Sequence, residues 1–260
     1  MDLNHKRTGS GPPLLLIHGL AGSRGSFDPI IDELAQHREV IAIDLPGFGD
    51  TPPLPGEATI PAYADAVTGF IEAQGLRGVD VVGSSMGARL AVELARRGGG
   101  VVGKVVALDP GGFWGTGTKR FFKGSVGASI ALVNLIRPLL PFLTGNPVTR
   151  TLLLIQFSAR PWALQRDTVL PELRGFTAPS TKSAFRNLTA VPQEGAPAGT
   201  LSTPVLLVWG KQDRVTPPGQ SARALELFPD AELKLIDKCG HFPHWDQPRQ
   251  TIDLILANTG

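Results

Sequence analysis

Short runs of aliphatic residues recur along the chain at 14–17, 40–43, 79–82, 105–108, 205–209 and 233–236, each followed by glycine-rich punctuation and a polar, amphipathic stretch. The runs are apolar almost throughout instead of alternating, the pattern of strands covered by helices on both faces. Between them the spacing predicts helices over 27–36, 60–74, 87–97, 221–227 and 248–257. Strand and helix therefore alternate, and with right-handed crossovers they build an α/β architecture around a doubly wound, mostly parallel sheet.

The alternation stops after Leu108-Asp109-Pro110-Gly111-Gly112 and resumes only at Val205. A gap of that length is too long for a connection and predicts an insertion. Helix-like patterns at 125–135, 148–157 and 181–190, separated by Pro and Gly, make it a helical cap over residues 113–200, with 1–112 and 201–260 as the core. The cap carries ten Lys/Arg against three Asp/Glu, while the core carries 15 against 20. Such a balance suits an anionic substrate or a membrane surface, and a solvated helical face accounts for it equally well.

Composition narrows the picture further. With 260 residues, 42% hydrophobic and 18% charged, one α/β domain buries an ample core without disulfides or metal. A net charge of +2 argues against a globally basic nucleic-acid binder. The single Cys239 has no intramolecular partner, and no Cys/His cluster has structural-zinc spacing, so no metal is expected. The first seven residues, Met1-Asp2-Leu3-Asn4-His5-Lys6-Arg7, lack the apolar stretch of a signal peptide. The apolar stretch 130–143 is interrupted by Arg137, Pro138 and Pro141 and is too short to span a bilayer as one helix. The expected location is cytoplasmic.

The chemistry begins at Gly83-Ser84-Ser85-Met86-Gly87, a G-x-S-x-G between a predicted strand and a predicted helix. A turn that tight needs small residues on both sides of the central serine, and it projects that serine, Ser85, from the carboxyl edge of the sheet. A serine hydroxyl needs a base to take its proton and an acid to orient that base. Both lie downstream: Asp213 follows the strand ending Trp209-Gly210, and His241 follows Lys238-Cys239-Gly240 after the last strand. Asp109, also at a strand end, competes with Asp213 for the acid's role.

These residues, in this order, resemble a capped α/β-hydrolase fold family, in its serine hydrolase and esterase branch. The likeness extends to Leu14-Leu15-Leu16-Ile17-His18-Gly19, to the D-x-x-G-x-G turn Asp44-Leu45-Pro46-Gly47-Phe48-Gly49, and to Gly240-His241. Gly83-Ser84-Ser85 departs from the frequent G-H-S form, and Gln247 stands where an acidic residue is common.

The resemblance implies a cofactor-independent serine hydrolase in which Ser85 attacks a small-molecule acyl ester. His241 would move the proton, Asp213 would orient His241, and the amides of Leu20 and Met86 would form an oxyanion hole. Family context favours Asp213 over Asp109 and His241 over His244. It also makes His18 a structural residue of its loop, and Cys239 reads as a small packed side chain. Phe48, Phe113, Trp114 and Trp162 are candidates for the substrate pocket. A serine nucleophile argues against C–halogen or epoxide cleavage, which use an aspartate there. Three alternatives stay open: a C–C bond hydrolase of ring-fission products with Arg186 holding a substrate carboxylate, a ligand receptor that does not turn over, and lipolysis at a membrane surface.

Overall fold

Each of the six aliphatic runs forms a strand, and a seventh, polar strand precedes them. The computed structural model describes residues 1–260. In chain order the core opens with β1 (His5–Thr8), β2 (Pro13–Ile17), α1 (Asp28–Leu34), β3 (Glu39–Ile43), α2 (Ile60–Ala73), β4 (Val79–Ser84), α3 (Met86–Arg97) and β5 (Val102–Leu108). Five helices then interrupt the alternation: α4 (Thr116–Leu135), α5 (Leu140–Gly145), α6 (Pro147–Leu154), α7 (Arg166–Gly175) and α8 (Pro179–Leu188). The chain returns to the core with β6 (Val205–Gly210), α9 (Gln220–Leu227), β7 (Glu232–Ile236), α10 (Pro243–Asp246) and α11 (Pro248–Asn258).

The sheet order is β1-β3-β2-β4-β5-β6-β7, and only the β1–β3 pair is antiparallel, with His5 opposite Ile43. Two predictions need correction here. The strand β1, His-Lys-Arg-Thr, has no aliphatic run because it lies at an edge where its side chains face solvent. At the opposite edge β7, read from its sequence as a buried strand, buries only Ile236.

Side-chain alternation along the strands divides the core in two. Leu15 and Ile17 of β2 face α2 and α3 in the larger cluster, whereas Leu14 and Leu16 pack with Ile30, Ile31 and Leu34 of α1 and with Ile252 and Ile255 of α11. The inserted helices join the larger cluster through Phe122, Val126, Leu154 and Leu173. α4 starts nine residues before the predicted helix at 125, and α5 and α7 were not predicted; α7 contains Pro171, a residue that reads as a helix breaker.

No single helix is long and apolar enough to cross a membrane. The nearest candidate, Thr116–Leu135 with Arg137–Gly145, is bent by 71°.

Candidate active site

Ser85 occupies the tightest corner of the sheet. It follows β4 directly, caps α3, and has φ 55° and ψ −110°, a conformation that costs a non-glycine residue on the order of 1–3 kcal/mol. The neighbouring glycines are required by contact: a Cβ on Gly83 would lie 2.3 Å from the Gly87 carbonyl oxygen, and one on Gly87 would lie 2.1 Å from that of Ile17. The Ser85 amide donates to Leu108 O at 2.9 Å, tying the corner to β5.

Two loops at the same edge bring the other groups in. His241 Nε2 lies 2.8 Å from Ser85 Oγ, and His241 Nδ1 lies 2.8 Å from Asp213 Oδ2. The remaining donors on Asp213 are the amides of Val215 (2.7 Å) and Thr216 (3.1 Å), both on Oδ1, and the Thr216 hydroxyl on Oδ2 (2.7 Å). Burial opposes ionisation of Asp213, but the charge of His241 and the hydrogen bonds it receives outweigh that and hold its carboxyl below the usual range. Because Asp213 is an acceptor, Nδ1 of His241 carries the proton and Nε2 is left to accept from Ser85 Oγ.

Asp109 is fully buried beside this pair, with φ 45°. Its Oδ1 accepts from the Gly210 amide at 2.9 Å, while Oδ2 has no donor. Burial, then the charge on Asp213, pushes the Asp109 carboxyl well above its ordinary value, while that of Asp213 is held below it, so of the two carboxyls Asp213 is the one that favours the negative charge. Asp109, Asp213 and His241 each offer an atom within 4.8 Å of the others, the spacing a metal ion would need. Four hydrogen-bond donors already converge on Asp213, which fits a charged hydrogen-bond acceptor better than a ligand cage.

The loop after β2 approaches from the other side. A Cβ on Gly19 would lie 3.1 Å from Ser85 Cβ, so only glycine admits this approach comfortably. His18 is wholly buried, and its Nε2 accepts from the Leu45 amide at 2.9 Å. The proton is therefore on Nδ1, which donates to Gly19 O at 2.7 Å. The Gly22 amide also donates to that oxygen, at 3.2 Å. In a trans peptide the carbonyl and the next N–H point in opposite directions, so these two bonds aim the Leu20 amide. Burial lowers the pKa of His18 to about 4, which keeps it neutral.

The cavity at Ser85 is lined by Leu20, Ser85 and His241 from the core loops, Phe122, Val126, Phe157, Phe176 and Leu188 from the insertion, and Val215 and Phe242. None of the five residues proposed from sequence for the pocket lines it. Phe48 packs edge-on against His18 at 5.6 Å, and Phe113 sits in the core between Trp209 and Phe228. Trp114 lies behind the wall, packed at a tilt against Phe122 at 4.9 Å with the Arg89 guanidinium over its ring. Trp162 is 57% exposed. Arg186 lines a separate groove between α4 and α8, with Lys182 and Phe185. Phe48, Phe113 and Trp114 are buried core side chains instead of pocket walls, because which aromatics reach the cavity depends on how the inserted helices seat.

The family model of the alpha/beta hydrolase fold matches residues 12–248. The chain belongs to this family. Among its relatives are a 2-hydroxy-6-oxononadienedioate/2-hydroxy-6-oxononatrienedioate hydrolase of a Pseudomonas species, 27% identical over 95% of this chain and 84% of that protein, and Lipase 3 of a Moraxella species, 25% identical over 93% and 75%. Among solved structures, a thermophilic esterase from Thermogutta terrifontis superposes with a TM-score of 0.72 at 24% identity, covering 98% of this chain and 92% of that one. A meta-cleavage product hydrolase from Pseudomonas fluorescens gives 0.74 at 21%, covering 98% and 93%.

Within this alpha/beta hydrolase, several supporting residues escaped the sequence reading. Asp246 of α10 accepts from the amides of Gly240 (2.7 Å) and Ala159 (2.8 Å) and from the Ser158 hydroxyl, and the His241 amide donates to Phe157 O at 2.8 Å. The His241 loop is thus fastened to the insertion. Glu172 of α7, fully buried, accepts from Ser26 Oγ at 2.8 Å, and burial pushes its pKa up to about 7. Trp209 donates from Nε1 to Thr216 O at 2.7 Å and braces the Asp213 loop. An acidic side chain two residues after Pro243-His244, or in a helix, carries no pattern that distinguishes such a brace from a solvated charge. His244 is buried against Phe27, Phe242 and Trp245, and burial, then His241, lowers its pKa to about 3.

Proposed function

We propose that the chain is a cofactor-independent serine hydrolase that cleaves a carboxylic ester or a related acyl bond through an acyl-enzyme. The observation that carries this reading is the continuous relay from Ser85 Oγ through His241 to Asp213, with both links at 2.8 Å. Ser85 Oγ attacks the substrate carbonyl as His241 Nε2 takes its proton, and Asp213 stabilises the resulting imidazolium. The Leu20 and Met86 amides receive the oxyanion, and His18 is the positioning residue for the first of them. Collapse of the tetrahedral intermediate expels the alcohol, which takes the proton from His241. Water, deprotonated by His241, then attacks the acyl-Ser85 ester and releases the acid and free Ser85 Oγ–H.

The insertion acts as a cap that supplies half of the residues lining the cavity. Eight of the ten lining residues are hydrophobic, and neither Lys nor Arg is among them. That favours an apolar acyl group over the carboxylate-bearing substrate of the C–C bond reading, whose proposed cation, Arg186, lies in the other groove.

A fluorophosphonate serine probe tests the assignment. Wild type is expected to be labelled and Ser85→Ala to be silent; equal labelling of both would refute it. Steady turnover of short and medium acyl esters separates an enzyme from a receptor that only binds.

A further inference from the structure

The outer side of the insertion is unusual in what it leaves in solvent. Nine of the chain's twelve exposed large hydrophobic residues fall between 121 and 162. Leu135 is 80% exposed at the end of α4, Phe142 77% in α5 and Leu152 70% in α6. In α6, Val148, Leu152 and the following Ile155 recur at i, i+4 and i+7, so they share one face. Arg150 donates to Thr144 O at 2.8 Å and to Trp162 O at 3.3 Å, which fastens the end of α5, α6 and the turn bearing Trp162 into one unit. Together these side chains present on the order of several hundred Å² of apolar surface, the size at which a patch marks an interaction site.

Charge selects the occupant. From 116 to 166 the chain carries seven Lys/Arg and no Asp or Glu. A second copy docked face to face would set this cationic segment against itself, since a two-fold interface brings the same surface from both sides. An anionic bilayer supplies the opposite sign and a medium for the apolar residues, and Leu, Phe and Trp among Lys and Arg is the composition of a surface lying in a lipid interface.

We infer that the face formed by the end of α4, α5, α6 and the turn at Trp162 docks on an anionic phospholipid surface. The buried sides of the same helical insertion, through Phe122, Val126 and Phe157, line the cavity at Ser85, so docking sets that cavity close to the bilayer. The inference stands apart from the hydrolase reading, because docking is measured without turnover.

Co-sedimentation with vesicles of phosphatidylcholine containing about one-third phosphatidylglycerol, and with pure phosphatidylcholine, tests it at low and high salt. Wild type is expected to pellet with the anionic vesicles, less so as salt rises, and at least ~10-fold more weakly with the neutral ones. Phe142→Ser/Leu152→Ser is expected to lose ~10-fold or more, since burying one such side chain outweighs the about 1.4 kcal/mol that tenfold represents. Lys123→Glu/Arg137→Glu keeps the apolar residues and should lose the preference for anionic vesicles. Both variants change exposed side chains outside the Ser85 cavity and should keep the wild-type thermal unfolding transition, which verifies their folding. No vesicle binding at low salt, or equal binding to both vesicle types, overturns the inference. A wild-type dimer that Phe142→Ser/Leu152→Ser converts to monomer, without vesicle binding, assigns the face to a second copy instead.

Discussion

Replacing Asp213 by Asn keeps the size of the side chain and inverts one hydrogen bond, which makes it the sharpest probe of the proposed relay. Asp213 Oδ1 faces two backbone N–H groups, and Oδ2 faces His241 Nδ1 and the Thr216 hydroxyl. An asparagine satisfies the two amides only by turning its oxygen toward them, which points its NH₂ at His241. Nδ1 must then accept, so the ring proton moves to Nε2, where it faces Ser85 Oγ and removes the base. The alternative orientation sets NH₂ against two N–H donors in a buried site and costs more. A wrong tautomer in such a relay lowers kcat by roughly 10⁴, or about 5 kcal/mol of barrier. KM should change little, because Asp213 does not line the cavity. Initial rates on a chromogenic short-chain ester read the effect, with thermal unfolding to verify the fold. Asp109→Asn, which replaces a carboxyl that burial and Asp213 push toward its neutral form, is expected to stay within about tenfold of wild type, well short of losing the base. A modest loss in Asp213→Asn together with a large loss in Asp109→Asn would refute the reasoning and make Asp109 the acid.

Three further outcomes follow from buried groups. His18→Leu leaves Gly19 O with one donor and the buried Leu45 amide with none; it should destabilise the protein by about 1–3 kcal/mol in urea unfolding and lower kcat through the Leu20 amide. Unchanged kcat in a folded variant would show that His18 does not position that amide. Glu172 has its carboxyl raised from 4.5 to about 7, so the folded state holds the proton longer than the unfolded one. Its contribution is fully present below pH 4.5 and is lost as pH rises to about 7, by up to about 3 kcal/mol. Glu172→Gln should flatten that part of the stability–pH curve, and an unaltered slope from pH 4.5 to 7 would contradict it. His244→Phe should keep activity within a few-fold, since both ring nitrogens lack partners and aromatic groups surround it; a loss as deep as that of His241→Ala would make His244 part of the chemistry.

The parallel strands and the serine corner were legible in the sequence because their causes are local. An aliphatic run between glycine-rich turns reports a strand buried on both faces, and Gly83 answers a contact with Gly87 inside the same turn, although Gly87 itself is required by Ile17 of β2. The strand β1 was not legible, since an edge strand with charged side chains carries no hydrophobic signal. Nor was α7, whose Pro171 reads as a break, although the packing of Val169, Leu170 and Leu173 sustains the helix. The braces Asp246 and Glu172 were equally hidden: each acts on a partner 87 or more residues away in the chain.

What the sequence determined by itself is the alternating α/β order, the place of the insertion, and three side-chain types at strand ends in a recognisable succession. Only the tertiary structure decided which carboxyl faces His241, which aromatics line the cavity, and that Arg186 stands in a different groove. The reason is physical: strand and turn signals are written within a few residues, whereas the charge state of Asp109 beside Asp213 and the wall around Ser85 come from burial and contacts between segments far apart in the chain.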